Sequence, residues 1–98
     1  MSEPETSRAE IFVAVLAERK RQDSLWGEQN HPPLIYLGIL AEEFGEAAKA
    51  AVDLQFNCVS QGAIAEFRAK LLVELIQTAA VAIAFAECLD RGKWKVGS

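Results

Sequence analysis

The residues in this chain best suited to chemistry are Glu42-Glu43-x-x-Glu46 and Glu74-x-x-Gln77. Residues three or four apart share a helix face, so Glu43 projects with Glu46, Glu42 with Glu46, and Glu74 with Gln77. Glu74 is the only charged residue between Leu71 and Ala86. A lone carboxylate in so apolar a run has to be paired, neutralised or bound to a cation, because an uncompensated buried charge is very costly. If the two segments are antiparallel helices, their carboxylates converge, and convergent carboxylates in a helix pair suit a hard cation such as Mg2+, or Mn2+ in its place. A solvated acidic face is the competing reading, and it suits Glu42 best. It suits Glu74 and Gln77 least, since a buried amide also needs partners. Asp53 lies two turns beyond Glu46, roughly 10 Å along the axis, too far to share one ion but within reach of a second.

Positioning these groups requires helices, and the sequence predicts three. The first runs from about Ser7 to Asp23. Ser7 with Glu10 fits a capping box, and Ile11, Phe12, Val15 and Leu16 make an apolar face. Gly27 and Asn30-His31-Pro32-Pro33 end that segment. The second helix runs from Pro33, which suits a first turn, to about Phe56. Its buried side is expected to hold Leu34, Leu37, Ile39, Leu40, Phe44, Ala47, Ala48, Ala51 and Val52. Gly45 reads either as a close helix contact or as room beside a ligand. Residues 57–62 connect to a third helix, about Ala63 to Asp90, which Gly92 stops. A helix as apolar as the third is expected to be covered on nearly every side. The tail from Lys93 to Ser98 reads as polar and loose.

The expected fold is therefore all-α, one domain over residues 1–98: an antiparallel helical bundle of three main helices, completed by homo-oligomerisation. At 98 residues and 51% hydrophobic, three helices leave apolar surface over, which points to a homodimer.

A net charge of −4 and the absence of a broad basic surface argue against a nucleic-acid polymer as partner. The local cluster Arg19-Lys20-Arg21 is either a solvated helix end or a patch for the phosphates of a small ligand. Cys58 and Cys88 form no CxxC pair and read as thiols in a reducing cytoplasm. The acidic start, Met1-Ser2-Glu3-Pro4-Glu5, is unlike a signal peptide. The apolar run has the length of a membrane span, but Glu74, Gln77 and Glu87 interrupt it, and central charges oppose insertion by about 2.5–3.5 kcal/mol each. No membrane is expected, and the location expected is cytoplasmic.

Glu42-Glu43-x-x-Glu46 followed by Glu74-x-x-Gln77 in a small helical chain resembles the MazG-like family of nucleoside triphosphate pyrophosphohydrolases, whose pattern is Glu-x-x-Glu, a spacer, then Glu-x-x-Asp. The stretch from Arg21 to Pro32, with Trp26-Gly27-Glu28-Gln29-Asn30-His31-Pro32, is similar to the lead-in of a phage and bacterial branch of that family. The resemblance spans about Glu18 to Trp94. It implies Mg2+-dependent hydrolysis of nucleoside triphosphates to monophosphate and pyrophosphate, in nucleotide-pool cleaning, by dimers or dimers of dimers. It implies Glu43, Glu46 and Glu74 as metal ligands, with Gln77 in the place of the aspartate. A neutral amide there weakens the grip on a hard cation and removes one negative charge.

Phosphoanhydride cleavage needs charge neutralisation and a placed water. Glu42 or Glu46 is the candidate to assist deprotonation of that water. Arg21, Lys49, Lys70 and Lys93 are candidates to meet the phosphates. Trp26 either stacks on a base or plugs the bundle end, and Trp94 invites the same two readings. His31 is a turn-stabilising residue or a contact to base or phosphate, and Asn30 is expected to cap helix two rather than read a base. Besides the hydrolase, two other functions fit the chain. One is a nucleotide- or metal-binding module without turnover, suggested by Gln77. The other is a helical interaction protein, suggested by the apolar third helix.

Overall fold

The computed structural model describes residues 4–94, with side chains from residue 7 onward. The described residues form three α-helices and no strand: α1 Pro4–Trp26, α2 Pro33–Phe56 and α3 Gln61–Arg91. Residues 1–3 and 95–98, with most of the expected loose tail, lie outside the described residues.

The ends follow from local chemistry. α1 begins at Pro4, whose missing N–H costs nothing in a first turn, so Ser7 lies inside the helix and is not its N-cap. Gly27 closes α1 with φ 68°, and its N–H donates to the Asp23 carbonyl at 2.8 Å. Pro32 is extended and Pro33 takes the first turn of α2. No side chain caps that turn, so Asn30 does not hold the role expected of it. At the far end, Asn57 donates from its backbone N–H to the Asp53 carbonyl at 3.0 Å and from Nδ2 to Asp53 Oδ1 at 2.8 Å.

α3 starts two residues before its expected position, because Ser60 Oγ accepts from the Ala63 N–H at 3.1 Å. Replacing that cap, Ser60→Ala, is expected to cost about 1 kcal/mol in urea denaturation. Gly92 ends α3 with φ 66°, and its N–H donates to the Cys88 carbonyl at 3.0 Å.

α3 is the central rod. α2 returns antiparallel to it through the short connection 57–60, and α1 packs on another flank of α3. No described Cα of α1 lies within 8 Å of one in α2. The arrangement is open, and the radius of gyration, 15.9 Å, exceeds the about 13 Å of a compact domain of this length.

The core is built largely from small residues. Ala47 and Ala50 of α2, Ala80, Val81 and Cys88 of α3, Tyr36 of α2 and Val15 of α1 are its buried apolar members. Most large apolar side chains face outward, which corrects the expected buried sides. On α2, Leu34, Leu37, Phe44 and Val52 are exposed, as are Ala48 and Ala51. On α1, Ile11, Phe12 and Leu16 are exposed beside buried Val15. α3 is not covered all round either: Leu72, Val73, Leu75, Ile83 and Leu89 are exposed. The reason is that α2 and α3 are apolar on nearly all sides. Periodicity then does not say which side faces the neighbour, and the alanine sides permit the closest approach. A Cβ added at Gly45 meets nothing within 4 Å, so Gly45 marks no close helix contact within the chain. Cys58 and Cys88 are unbridged.

Candidate metal centre

Glu43 and Glu46 leave α2 one turn apart, and Glu74 leaves α3 opposite them. One carboxylate oxygen from each lies within 4.8 Å of the other two. Glu74 is buried at 9% exposure, Glu43 is half-buried and Glu46 is exposed. The cluster thus has a dry floor and a wet rim. Oε2 of Glu43 and Oε2 of Glu74 are both buried without a hydrogen-bond partner. Two orphaned, buried carboxylate oxygens on neighbouring members of one acidic cluster are costly unless something positive or protonated satisfies them.

The electrostatics carry the same message. Burial, then the charges of Glu46, Glu74, Glu18 and Glu42, hold the Glu43 carboxyl above its ordinary 4.5. Burial, then a hydrogen bond with Glu46 and the Glu46 charge, raise Glu74, while the Lys70 ammonium one turn away pulls it down. Like charges held together in a partly dry site favour a proton on one member, or a cation between them.

The donor set fits a hard divalent cation. All three ligands are carboxylate oxygens, the preferred donors of Mg2+ and Mn2+. At about 2.1 Å from an octahedral Mg2+, ligand oxygens stand ~3.0 Å apart when adjacent and ~4.2 Å when opposite. A small closing movement brings three oxygens within 4.8 Å of one another to such an arrangement. The rim at Glu46 leaves positions for water and an outside ligand.

A cavity of about 150 Å3 opens beside the cluster, with Glu43 and Gln77 on its wall and Glu18, Arg21, Gln22, Trp26 and Tyr36 around it. Gln77, half-buried, shares this cavity wall with Glu43. Trp26 is 57% exposed at the wall, so it is not a core plug. Arg21 also lines the cavity, with its guanidinium paired to Glu18 through two hydrogen bonds of 2.8 Å. That pairing holds the Glu18 carboxyl below its ordinary value. Gln22, Gln29, Tyr36 and Ala84 line both this cavity and a polar hollow of about 370 Å3.

That second hollow is bounded by two clasps. Arg19 donates to Glu87 Oε1 at 2.7 and 2.9 Å and to Asp23 at 3.0 Å, tying α1 to α3. Arg91 donates to Asn30 Oδ1 at 3.0 Å and to the Gln29 carbonyl at 2.9 Å, tying the loop after α1 to the end of α3. The Arg19-Lys20-Arg21 cluster is thus neither a solvated helix end throughout nor a patch of unpaired cations. Asn30 serves this clasp.

The remaining expected residues scatter. Glu42 is exposed and outside the three-carboxylate group, although its charge reaches Glu43. His31 meets Tyr36 edge-on at 5.0 Å and accepts from Cys88 Sγ through its carbonyl at 3.5 Å, as a turn-stabilising residue does. Lys49 is exposed one turn past Glu46. Lys93 is exposed, with its charge acting on Glu28. Asp53 is engaged by Asn57. Sequence reasoning missed Glu18, Gln22 and Tyr36 as wall residues. Glu18 was detectable as the partner three residues before Arg21; nothing in the sequence singled out Gln22 or Tyr36.

Comparison of the chain with protein-family models, with curated proteins and with solved structures yields no match. α3 is long and apolar enough to cross a membrane by length and composition.

Proposed function

We propose that this chain is a Mg2+-dependent hydrolase that cleaves (deoxy)nucleoside triphosphates to the monophosphate and pyrophosphate, as do the MazG-like enzymes it resembles. The observation that carries the reading is the meeting of Glu43, Glu46 and Glu74 within 4.8 Å, two of them with buried, unpartnered oxygens. When bound there, Mg2+ would neutralise phosphate charge and acidify a coordinated water.

The chain's own groups have distinct tasks in this reading. Glu43 and Glu74 anchor the cation from the dry floor. Glu46, at the wet rim with Glu42 one turn before it, is placed to accept a proton from the attacking water. Lys70, near enough to act on Glu74, is the cation best placed to meet phosphate. Arg21 can join it only by loosening from Glu18, while Lys49 and Lys93 are more remote candidates. Trp26 offers a ring face at the cavity wall for a base. The working form in this reading is a cytoplasmic homodimer that cleans the nucleotide pool.

The test is incubation of the purified protein with each (deoxy)nucleoside triphosphate and Mg2+, with assay of pyrophosphate. Release of pyrophosphate that stops on chelation supports the reading. Release of orthophosphate alone, or no release with any nucleotide, removes it. Gln77 favours a second reading, a module that binds nucleotide without turnover. Thermal stabilisation by nucleotide in the absence of hydrolysis would identify it. In either case Gln77→Asp adds a charged oxygen beside the cluster. It is expected to tighten Mg2+ binding by about tenfold, the factor given by ~1.4 kcal/mol, measured by calorimetry.

A further inference from the structure

The covered side of α1 carries Val15 but also three polar side chains, Glu18, Arg19 and Gln22. Burying a charge is costly unless it is paired, and packing alone is better served by an apolar residue one turn after Val15. Arg19 is accounted for by its clasp to α3. Glu18 makes no such clasp. Its side chain is 11% exposed, and its hydrogen bonds come from α1 itself, from Arg21 and from Gln22 at 3.1 Å.

The place of Glu18 in the fold gives it another use. Glu18 and Glu43 are the two carboxylates on the wall of the 150 Å3 cavity, to which α3 contributes the neutral amide of Gln77. Glu18 and Gln77 also share the wall of a hollow of about 440 Å3 between α1 and α3. The Glu18 charge acts on Glu43 more strongly than does that of Glu42, the neighbour of Glu43 in the chain.

We propose that Glu18 is the fourth carboxylate of the cation site, acting from α1 across the 150 Å3 cavity through a water of the cation's shell. The inference rests on the cation reading of Glu43, Glu46 and Glu74, in which Glu74 is nine-tenths buried with an unpartnered oxygen. It does not rest on hydrolysis. Glu18 lies outside that three-oxygen group, so the link needs a water. Mg2+ and Mn2+ sites keep waters, and outer carboxylates that accept from them tune the affinity. A carboxylate accepts about four hydrogen bonds, and Arg21 and Gln22 supply three of them. Capacity for one water remains, and the cavity has room for it. Pairing with Arg21 also holds the Glu18 carboxyl below its ordinary 4.5, so its charge is present at neutral pH. Glu42 is exposed, and solvent screens its charge. Through Glu18 the cation would join α1 to α2, two helices that do not otherwise touch.

The experiment is calorimetric titration of Mn2+, without nucleotide, into the full chain and four variants, with far-UV circular dichroism to establish folding. Glu18→Gln should weaken Mn2+ binding by about tenfold or more. With Gln77→Asp already supplying a charge from α3, the same Glu18→Gln change should cost less than about threefold, the coupling read by a double-mutant cycle. Arg21→Gln should not weaken binding, because Glu18 keeps its charge. Glu18→Gln with wild-type affinity would overturn the proposal. So would an equal loss in both backgrounds, which would make Glu18 a packing residue. A matching loss from Arg21→Gln would also overturn it, by reducing Glu18 to an anchor for that guanidinium. These three outcomes leave the cation reading standing. A wild type that binds no Mn2+ would overturn that reading and this inference together.

Discussion

Glu74→Gln is expected to abolish pyrophosphate release and, in the same protein, to raise the melting temperature of the metal-free state. The two effects have one cause. Glu74 is buried against Glu46, with an oxygen that no group satisfies. Removing its charge relieves repulsion and desolvation, and a gain of ~1 kcal/mol corresponds to roughly 4–8 °C in a domain of this size. Saturating Mg2+ should reverse the order. At a hundredfold excess over its dissociation constant, a ligand stabilises the folded state by about 2.7 kcal/mol, and in the proposed site the variant would offer the cation a neutral amide in place of the Glu74 carboxylate. Thermal melts of both proteins with and without Mg2+ make the comparison.

The pH dependence follows from the same groups. Glu43 and Glu74 both titrate above the ordinary 4.5 in the folded chain. Folding therefore favours their protonated forms. That contribution is full below about pH 4.5 and is lost as pH rises through the raised values. Mg2+ held at the proposed site would compete with those protons, so its stabilising effect should grow over the same interval. In Glu74→Gln both trends should flatten. A metal-free wild type whose stability does not fall relative to Glu74→Gln as pH rises above 4.5 would contradict the electrostatic account of the site.

Tyr36→Ala is expected to produce the largest loss of stability. Tyr36 is 3% exposed. Its ring stacks on Phe85 at 5.2 Å and meets His31 edge-on at 5.0 Å. Its hydroxyl donates to the Gln29 carbonyl at 3.1 Å. One side chain therefore joins α2, α3 and the loop after α1. Truncating a buried aromatic costs about 3–5 kcal/mol, a large share of the ~5–15 kcal/mol available to a domain. The melting temperature should fall by roughly 12 °C or more. Tyr36→Phe keeps the stacking and should cost only about 1 kcal/mol. Equal losses from the two changes would mean that the hydroxyl, not the ring, holds this junction.

What the sequence disclosed, and what it concealed, divides along physical lines. Paired prolines cannot continue a helix and glycine readily takes the left-handed backbone that ends one, so the start of α2 and the end of α3 stood where they were expected. The convergence of Glu43, Glu46 and Glu74 was legible because charge is rare in an apolar helix and must be answered. Glu42 looked equivalent on spacing alone, yet one residue rotates a side chain by 100°, enough to send it outward. The burial of α2 and α3 was not legible. Leu37 and Ala47 are equally apolar to a pattern reading, and only close approach between helices selects the alanine side. The Arg19–Glu87 and Arg91–Asn30 clasps join residues 68 and 61 positions apart, and no local spacing foretells them.

The reading stands most directly on what a cation finds between α2 and α3. Crystals equilibrated with Mn2+ should show an anomalous peak bridging the carboxylates of Glu43, Glu46 and Glu74, at about 2.2 Å from an oxygen of each. A fully loaded crystal with no peak there, or with manganese bound only at other acidic groups, would contradict it.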